Sequence, residues 1–173
     1  MIILGLFYSL ILTGSLFFLL FSKTRRNQEE IISLNNQILE KNKRLITLFN
    51  ISQIVAQSDN RIKILSGILN ELVDLNWEKC AIWKKEKKLK LIDSRGFSKE
   101  GLNQLEKEIG KKLIKREVII SKDSQEEFLA LIPLITKEQI HGVLAVSKVS
   151  EFTPEESELL TIIGKFLSPV LLF

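Results

Sequence analysis

Apolar and polar positions fall into three regimes along the chain. Residues 2–21 read IILGLFYSLILTGSLFFLLF and carry no charge; fourteen of the twenty are Ile, Leu or Phe. A helix of about 20 such residues crosses a bilayer. Each Ile, Leu or Phe gains about 0.3 to 0.6 kcal/mol at the centre of a membrane helix. Ser9, Thr13 and Ser15 can bond back to the helix or to a neighbour at modest cost. A cleaved signal peptide would need a basic start, a shorter apolar core and a small-x-small site. Here the basic start is missing, the core is too long, and KTRR follows. The segment reads as a membrane anchor. Lys23, Arg25 and Arg26 just behind it place the rest of the chain in the cytoplasm by the positive-inside rule.

From Asn27 the period changes. Ile31, Leu34, Ile38, Leu45, Leu48 and Val55 fall on a and d positions of heptads, interrupted by Lys41 and Ser52. A spacing near 3.5 predicts a parallel two-stranded coiled coil continuing from the span. Ile32, Leu39 and Ile46 add a second stripe beside the first. That widening suits a helix entering a larger bundle. The coiled coil is expected upstream of about Arg44, with packing on a domain after it.

The third regime mixes helical and strand periods. Ser58 and Asp59 can cap a helix whose buried stripe is Ile62, Leu65, Leu69, Leu72 and Val73. CAIW, Cys80 to Trp83, reads as a buried strand. LKLIDSRGF reads as a half-buried one, with Leu89 and Leu91 alternating with lysines and Gly96 marking its end. A short helix is expected from Leu102 to Ile109, stopped by Gly110. Val118 to Ile120 is a candidate short strand. Phe128 to Ile135 and Ile140 to Val149 are nearly all apolar and form a hairpin of central strands buried on both faces. Pro133 requires a missing ladder bond or a bulge. Thr153, Pro154 and Glu156 form a capping box, and Leu159, Leu160, Ile163, Phe166 and Leu167 give the last helix its apolar face. Pro169 should kink or end that helix. The order of elements fits an α+β domain: an antiparallel sheet with helices gathered on one side. Three segments result: a transmembrane helix at 1–22, a coiled-coil linker at 23–44 and a domain at 45–173.

Charge and composition narrow the function classes. The net charge is +4, and every charged side chain lies from Lys23 onward. Nucleic acid would want a concentrated basic face interleaved with aromatics. The densest basic run, KKEKKLK at Lys84 to Lys90, falls in a turn, so no nucleic acid partner is expected. The single cysteine, Cys80, excludes an internal disulfide and any zinc site built from paired cysteines. The single histidine, His141, cannot form a metal site alone, so no metal is expected.

Four pieces in sequence order carry a resemblance: LFNISQIVAQS with a second helix behind it, CAIWKKEKKLKLIDSRGF, LALIPLITKEQIHGVLAVSK and FTPEESELLTIIGKFL. From about Leu45 to Phe173 the chain resembles a GAF domain. The resemblance implies a central antiparallel sheet with the N- and C-terminal helices on one face, often as a dimer bundle. It implies a small-molecule pocket on the other face, under loops and short helices. GAF domains that bind cyclic nucleotides carry Asn-Lys before a Phe, with Asp-Glu four residues beyond it. The matching positions are Ser147-Lys148, Phe152 and Glu156-Ser157, which keep only the Lys and the Phe. Cyclic nucleotide binding is therefore not expected. The stretch between Gly96 and Pro133 is shorter than is typical of the family, which predicts a small pocket or none.

Asp93, Ser94 and Arg95 end a strand at the expected pocket rim, where Arg95 could hold an anion; a solvated arginine is the plainer reading. His141 could line a pocket or serve as a single haem ligand. Asp93, Arg95 and His141 are thus the ligand-binding candidates, with no catalytic residue and no cofactor expected. Some GAF proteins reduce free methionine sulfoxide with several cysteines; Cys80 lacks a resolving partner within the chain and reads as core packing. The reading is a single-pass inner-membrane sensory or regulatory module, anchored in lipid through residues 2–21. It is expected as a homodimer that passes a signal to, or recruits, a cytoplasmic protein, with a small-molecule ligand left open. The rivals are a ligand-free GAF scaffold tethered to the membrane and a thiol redox enzyme using Cys80.

Overall fold

The structure is a computed structural model that describes the backbone of residues 2–75, 77–112, 116–122 and 127–172. It describes the side chains of all of these except 2–13, 15, 16, 19, 20 and 112. The chain divides into two compact units, Met1–Lys43 and Arg44–Phe173.

In the first unit the chain is helical throughout its described length, as the leading part of α1 (Ile2–Gln57). Most side chains of the expected membrane span lie outside the described residues. Among the described residues no helix is long and apolar enough to cross a membrane. Past the span, Arg25 Nε bonds Glu29 Oε1 one turn on at 3.2 Å, an exposed pair worth only a few tenths of a kcal/mol. Ile31, Ile32, Leu34, Ile38 and Leu39 are all solvent-exposed.

The second unit is α+β. The end of α1 is followed by α2 (Arg61–Asp74), β1 (Lys79–Lys85), β2 (Leu89–Arg95), α3 (Lys99–Lys112), β3 (Ile119–Lys122), β4 (Phe128–Thr136), β5 (Gln139–Lys148) and α4 (Pro154–Val170). The strands form one antiparallel sheet in the order β2-β1-β5-β4-β3. The continuous apolar runs are explained by burial on both faces. Cys80, Ile82, Ala130, Ile132, Leu134, Leu144 and Val146 join a core with Ile51, α2 and α4. The residues between them, Ala81, Trp83, Leu129, Leu131, Val143 and Ala145, join a second core with Leu105 and Ile109 of α3. The expectation of helices on one side thus holds for α2, α4 and the end of α1. α3 covers the far side of the sheet with its own apolar face, where the resemblance implied short helices.

Local details refine the elements. Asn60, not Ser58 or Asp59, caps α2: its Oδ1 accepts from the backbone N–H of Ile62 at 3.0 Å and of Lys63 at 3.3 Å. With that start, Ile64, Leu65, Ile68, Leu69 and Leu72 turn inward, while Ile62 and Val73 are exposed. Asn50 Nδ2 donates to Glu71 Oε2 at 3.0 Å and ties α1 to α2. β3 pairs with β4 only as far as Leu131, and the β4–β5 register shifts between Leu134 and Ile135. Pro133 therefore sits where β4 has already lost its outer neighbour, one residue before an irregularity. Gly142 lets β5 approach β1, because a Cβ there would meet Trp83 O at 2.3 Å. The β4–β5 turn is Lys137-Glu138, both in the left-handed region at φ 47° and 65°.

α3 runs through Gly110 to Lys112 rather than stopping at the glycine. No atom lies within 4 Å of a Cβ built there. Glycine in a helix interior costs about 0.8 to 1 kcal/mol relative to alanine. Gly110→Ala should therefore stabilise the domain by about 0.5 to 1 kcal/mol, read as a higher urea midpoint with an unchanged slope; a loss of stability would mean that α3 ends before this residue.

Candidate functional site

The face under α3 is where a ligand was expected. Its floor is apolar and filled: Trp83, Leu105, Ile109, Leu129 and Leu131 are buried against one another, with Phe97 and Leu102 packed at their edge. Among the described residues it leaves a cup of about 60 Å³ at one end, between α3 and the ends of β1, β4 and β5. Its polar wall is Lys79, Glu127 and Ser147. Lys79 Nζ lies 2.6 and 2.7 Å from the two Glu127 carboxylate oxygens, and Ser147 Oγ donates to Glu127 Oε2 at 2.8 Å. Backbone register brings them together, since Lys79 and Leu129 both stand opposite Ser147. Ser98, Gln104 and Glu108 complete the polar rim. Lys79 and Glu127 offset each other's charge, and the volume suits a few waters or a small ion. Pockets for nucleotides, haem or drug-sized molecules run to about 300 to 1,000 Å³.

None of the three sequence candidates lines this cup. Asp93 and Arg95 lie on the opposite side of the sheet. Arg95 donates from Nε to Asn70 Oδ1 at 3.0 Å, from Nη2 to Ser66 Oγ at 2.6 Å, and from Nη1 to Asp93 Oδ1 at 2.6 Å. It pins β2 to α2, so the pocket-rim position expected for Asp93 and Arg95 is corrected. The cause is a bulge. Trp83 pairs with Leu91 but Ile82 pairs with Asp93, so one extra residue in β2 flips the strand's faces after Leu91. His141 sits beside the hairpin turn, with Nε2 3.3 Å from Thr136 O.

Lys148 and Phe152, the two retained residues of the nucleotide motif, also have structural partners. Lys148 is buried, its Nζ 4.9 Å from the Phe152 ring centroid and paired with Glu156. Glu156 Oε2 also accepts from the Thr153 backbone N–H at 2.8 Å, closing the predicted capping box, and its carboxylate takes a bond from Trp77. Burial pushes the Glu156 carboxyl up, but the bonds from Lys148, Thr153 and Trp77 and the lysine charge outweigh it and hold the group below the usual carboxylate range.

Cys80 is fully buried and donates weakly to Leu69 O at 3.5 Å. Burial pushes its thiol up to about 12, with the Arg95 charge pulling down and Asp93 pushing up by less. The thiolate is the reactive form. At neutral pH the folded protein should leave a thiol-specific disulfide reagent unreacted, and denaturation should release one thiol per chain. Rapid colour with the native protein would contradict the burial described.

No family model matches the sequence, and no curated protein matches it. Solved structures do resemble the fold. A GAF domain from an Acinetobacter phosphoenolpyruvate-protein phosphotransferase has a TM-score of 0.60 at 19% identity, covering 75% of this chain and 92% of that one. The corresponding GAF domain from Coxiella burnetii has a TM-score of 0.63 at 16% identity, covering 75% and 93%. A type II free methionine-R-sulfoxide reductase from Thermoplasma acidophilum has a TM-score of 0.53 at 12% identity, covering 64% and 92%.

Proposed function

Starting from a single GAF-like domain at residues 44–173, we propose that this chain is a membrane-anchored, dimeric regulatory module whose input arrives through protein contacts. The observation that carries this reading is the α3 face, where among the described residues an apolar core leaves a cup of about 60 Å³ beside the paired Lys79 and Glu127. GAF domains are typically sensory or regulatory modules, and the described part of the α3 face keeps little room for a metabolite; the wider opening of about 530 Å³ lies on the other face, a groove between α4 and the end of β4. The uncharged segment 2–21 followed by Lys23, Arg25 and Arg26 supports a single-pass anchor with the domain in the cytoplasm. The heptad stripe of Ile31, Leu34 and Ile38, exposed along its length, supports pairing of two chains. Its output is recruitment or control of a separate cytoplasmic protein, without catalysis. The reductase chemistry of the Thermoplasma neighbour does not carry over, because the one cysteine of this chain is sealed in the core.

The small cup favours a second reading, a ligand-free scaffold. Three experiments test these readings. Removal of residues 2–21 should move the protein from the membrane fraction to the soluble one, and retention of the truncated protein in the membrane would reject the anchor. Thermal-shift screening against nucleotides, haem and small metabolites should give no stabilisation; a concentration-dependent rise with any one compound would reject protein-borne input. Crosslinking in native membranes should recover a cytoplasmic partner whose own activity changes when this chain is deleted. A partner indifferent to the deletion would leave the scaffold.

A further inference from the structure

The apolar face of the N-terminal unit is wider than one partner helix can cover. Ile31, Leu34 and Ile38 form one stripe, and Ile32 and Leu39 form a second, one residue on. At 3.6 residues per turn the stripes lie about 100° apart. All five side chains are at least half exposed, from 50% for Leu34 to 65% for Leu39. A two-stranded coil buries the a and d positions, which leaves Ile32 and Leu39, at b, turned away from the partner. Asn35 and Asn42 each stand three residues beyond them. The order Ile32, Asn35, Leu39, Asn42 is therefore a second heptad seam, with apolar and amide layers in alternation.

We infer that this second seam binds further copies of the same chain, so that helix pairs associate into a tetramer through Ile32 and Leu39. Two features select a copy as the occupant. An Asn layer facing an identical Asn can exchange amide bonds, each side chain having both donor and acceptor, whereas an aliphatic layer opposite would leave those groups unmatched. The flanks also suit self-association. One holds Ile31 and Ile38, the other Glu29, Asn36 and Lys43. In a parallel arrangement each flank meets the opposite flank of the copy, so no like charges are opposed. A common anchor in one bilayer would impose that parallel direction.

The inference rests on the pairing through Ile31, Leu34 and Ile38 proposed above, and the experiment reads the two seams separately. Cys80 is buried, so new cysteines report alone. Full-length Ile38→Cys, Leu39→Cys and the double variant are oxidised in membranes with copper phenanthroline. Ile38→Cys and Leu39→Cys should each give a crosslinked dimer, and the double variant a ladder reaching the tetramer. Leu39→Glu should halve the mass of the assembly in nanodiscs. Dimers from Ile38→Cys with none from Leu39→Cys would overturn the inference and leave the pairing intact. A Leu39→Cys adduct with a different protein would overturn the choice of occupant. Failure of both single variants would remove the pairing as well.

Discussion

Trp83→Ala should lower the stability of the GAF-like domain by about 3 to 5 kcal/mol, read from urea unfolding. Trp83 is 1% exposed and stands at the centre of the core beneath α3, between Ala81 and Val143 on the sheet side and Leu105 and Ile109 on the helix side. Removing the indole deletes its transfer energy and leaves a void that the surrounding strands, each hydrogen-bonded on both sides, can collapse only partly. Domains of this size have about 5 to 15 kcal/mol in all, so the variant should be marginal. The void should also be a binding site. Apolar cavities of about 150 Å³ stay dry and take up small aromatics, so added indole should raise the variant's thermal midpoint and leave the wild type unmoved. A loss below about 1 kcal/mol would mean that the α3 face is loosely packed, and with it the argument against a metabolite pocket would fall.

Glu156→Gln should cost about 2 to 4 kcal/mol at neutral pH, although glutamine can still complete the capping box. The effect comes from Lys148, whose side chain is 7% exposed and whose ammonium would lose its counter-charge in a site with little water. The Phe152 face below it compensates in part. Because the folded protein holds the Glu156 carboxyl below its ordinary range, this stabilisation is fully present above that range. It fades as pH falls through the lowered folded value. Wild type and Glu156→Gln should therefore differ most at neutral pH and converge in acid. A gap that stayed constant with pH would show that the carboxylate charge is not what holds Lys148. Lys148→Met in the Glu156→Gln background should recover much of the loss, since a buried pair replaced by apolar groups is often neutral.

The sheet was legible because its signal is local. Strands buried on both faces must be apolar at every position, and CAIW, LALIPLI and GVLAV are. The capping box at Thr153 is legible for the same reason, since all its parts lie within four residues. The polar cup was not legible. Lys79, Glu127 and Ser147 come from three strand ends up to 68 residues apart in sequence (147 less 79), and each alone reads as an ordinary strand-edge polar residue. Arg95 was misplaced for a subtler reason. Strict alternation from Leu89 and Leu91 puts Asp93 and Arg95 on the α3 face, and one bulged residue opposite Ile82 and Trp83 reverses it. The bulge leaves no mark in the hydrophobic periodicity, because Ile92 to Arg95 are all half-buried and show no alternation that a flip could break. The α2 stripe drifted similarly, because the cap that sets its phase sits one residue beyond the pair that composition suggested.

The hairpin turn has a bearing on how the chain folds. Lys137 and Glu138 both hold left-handed backbone angles, and such a conformation costs roughly 1 to 2 kcal/mol for each residue that is not glycine. Strands β4 and β5 are sequence neighbours, and their closure would ordinarily be the quickest long ladder to form. With an unfavourable link between them, that advantage is reduced: glycine at position 137 or 138 would relieve the cost and should quicken closure of this hairpin.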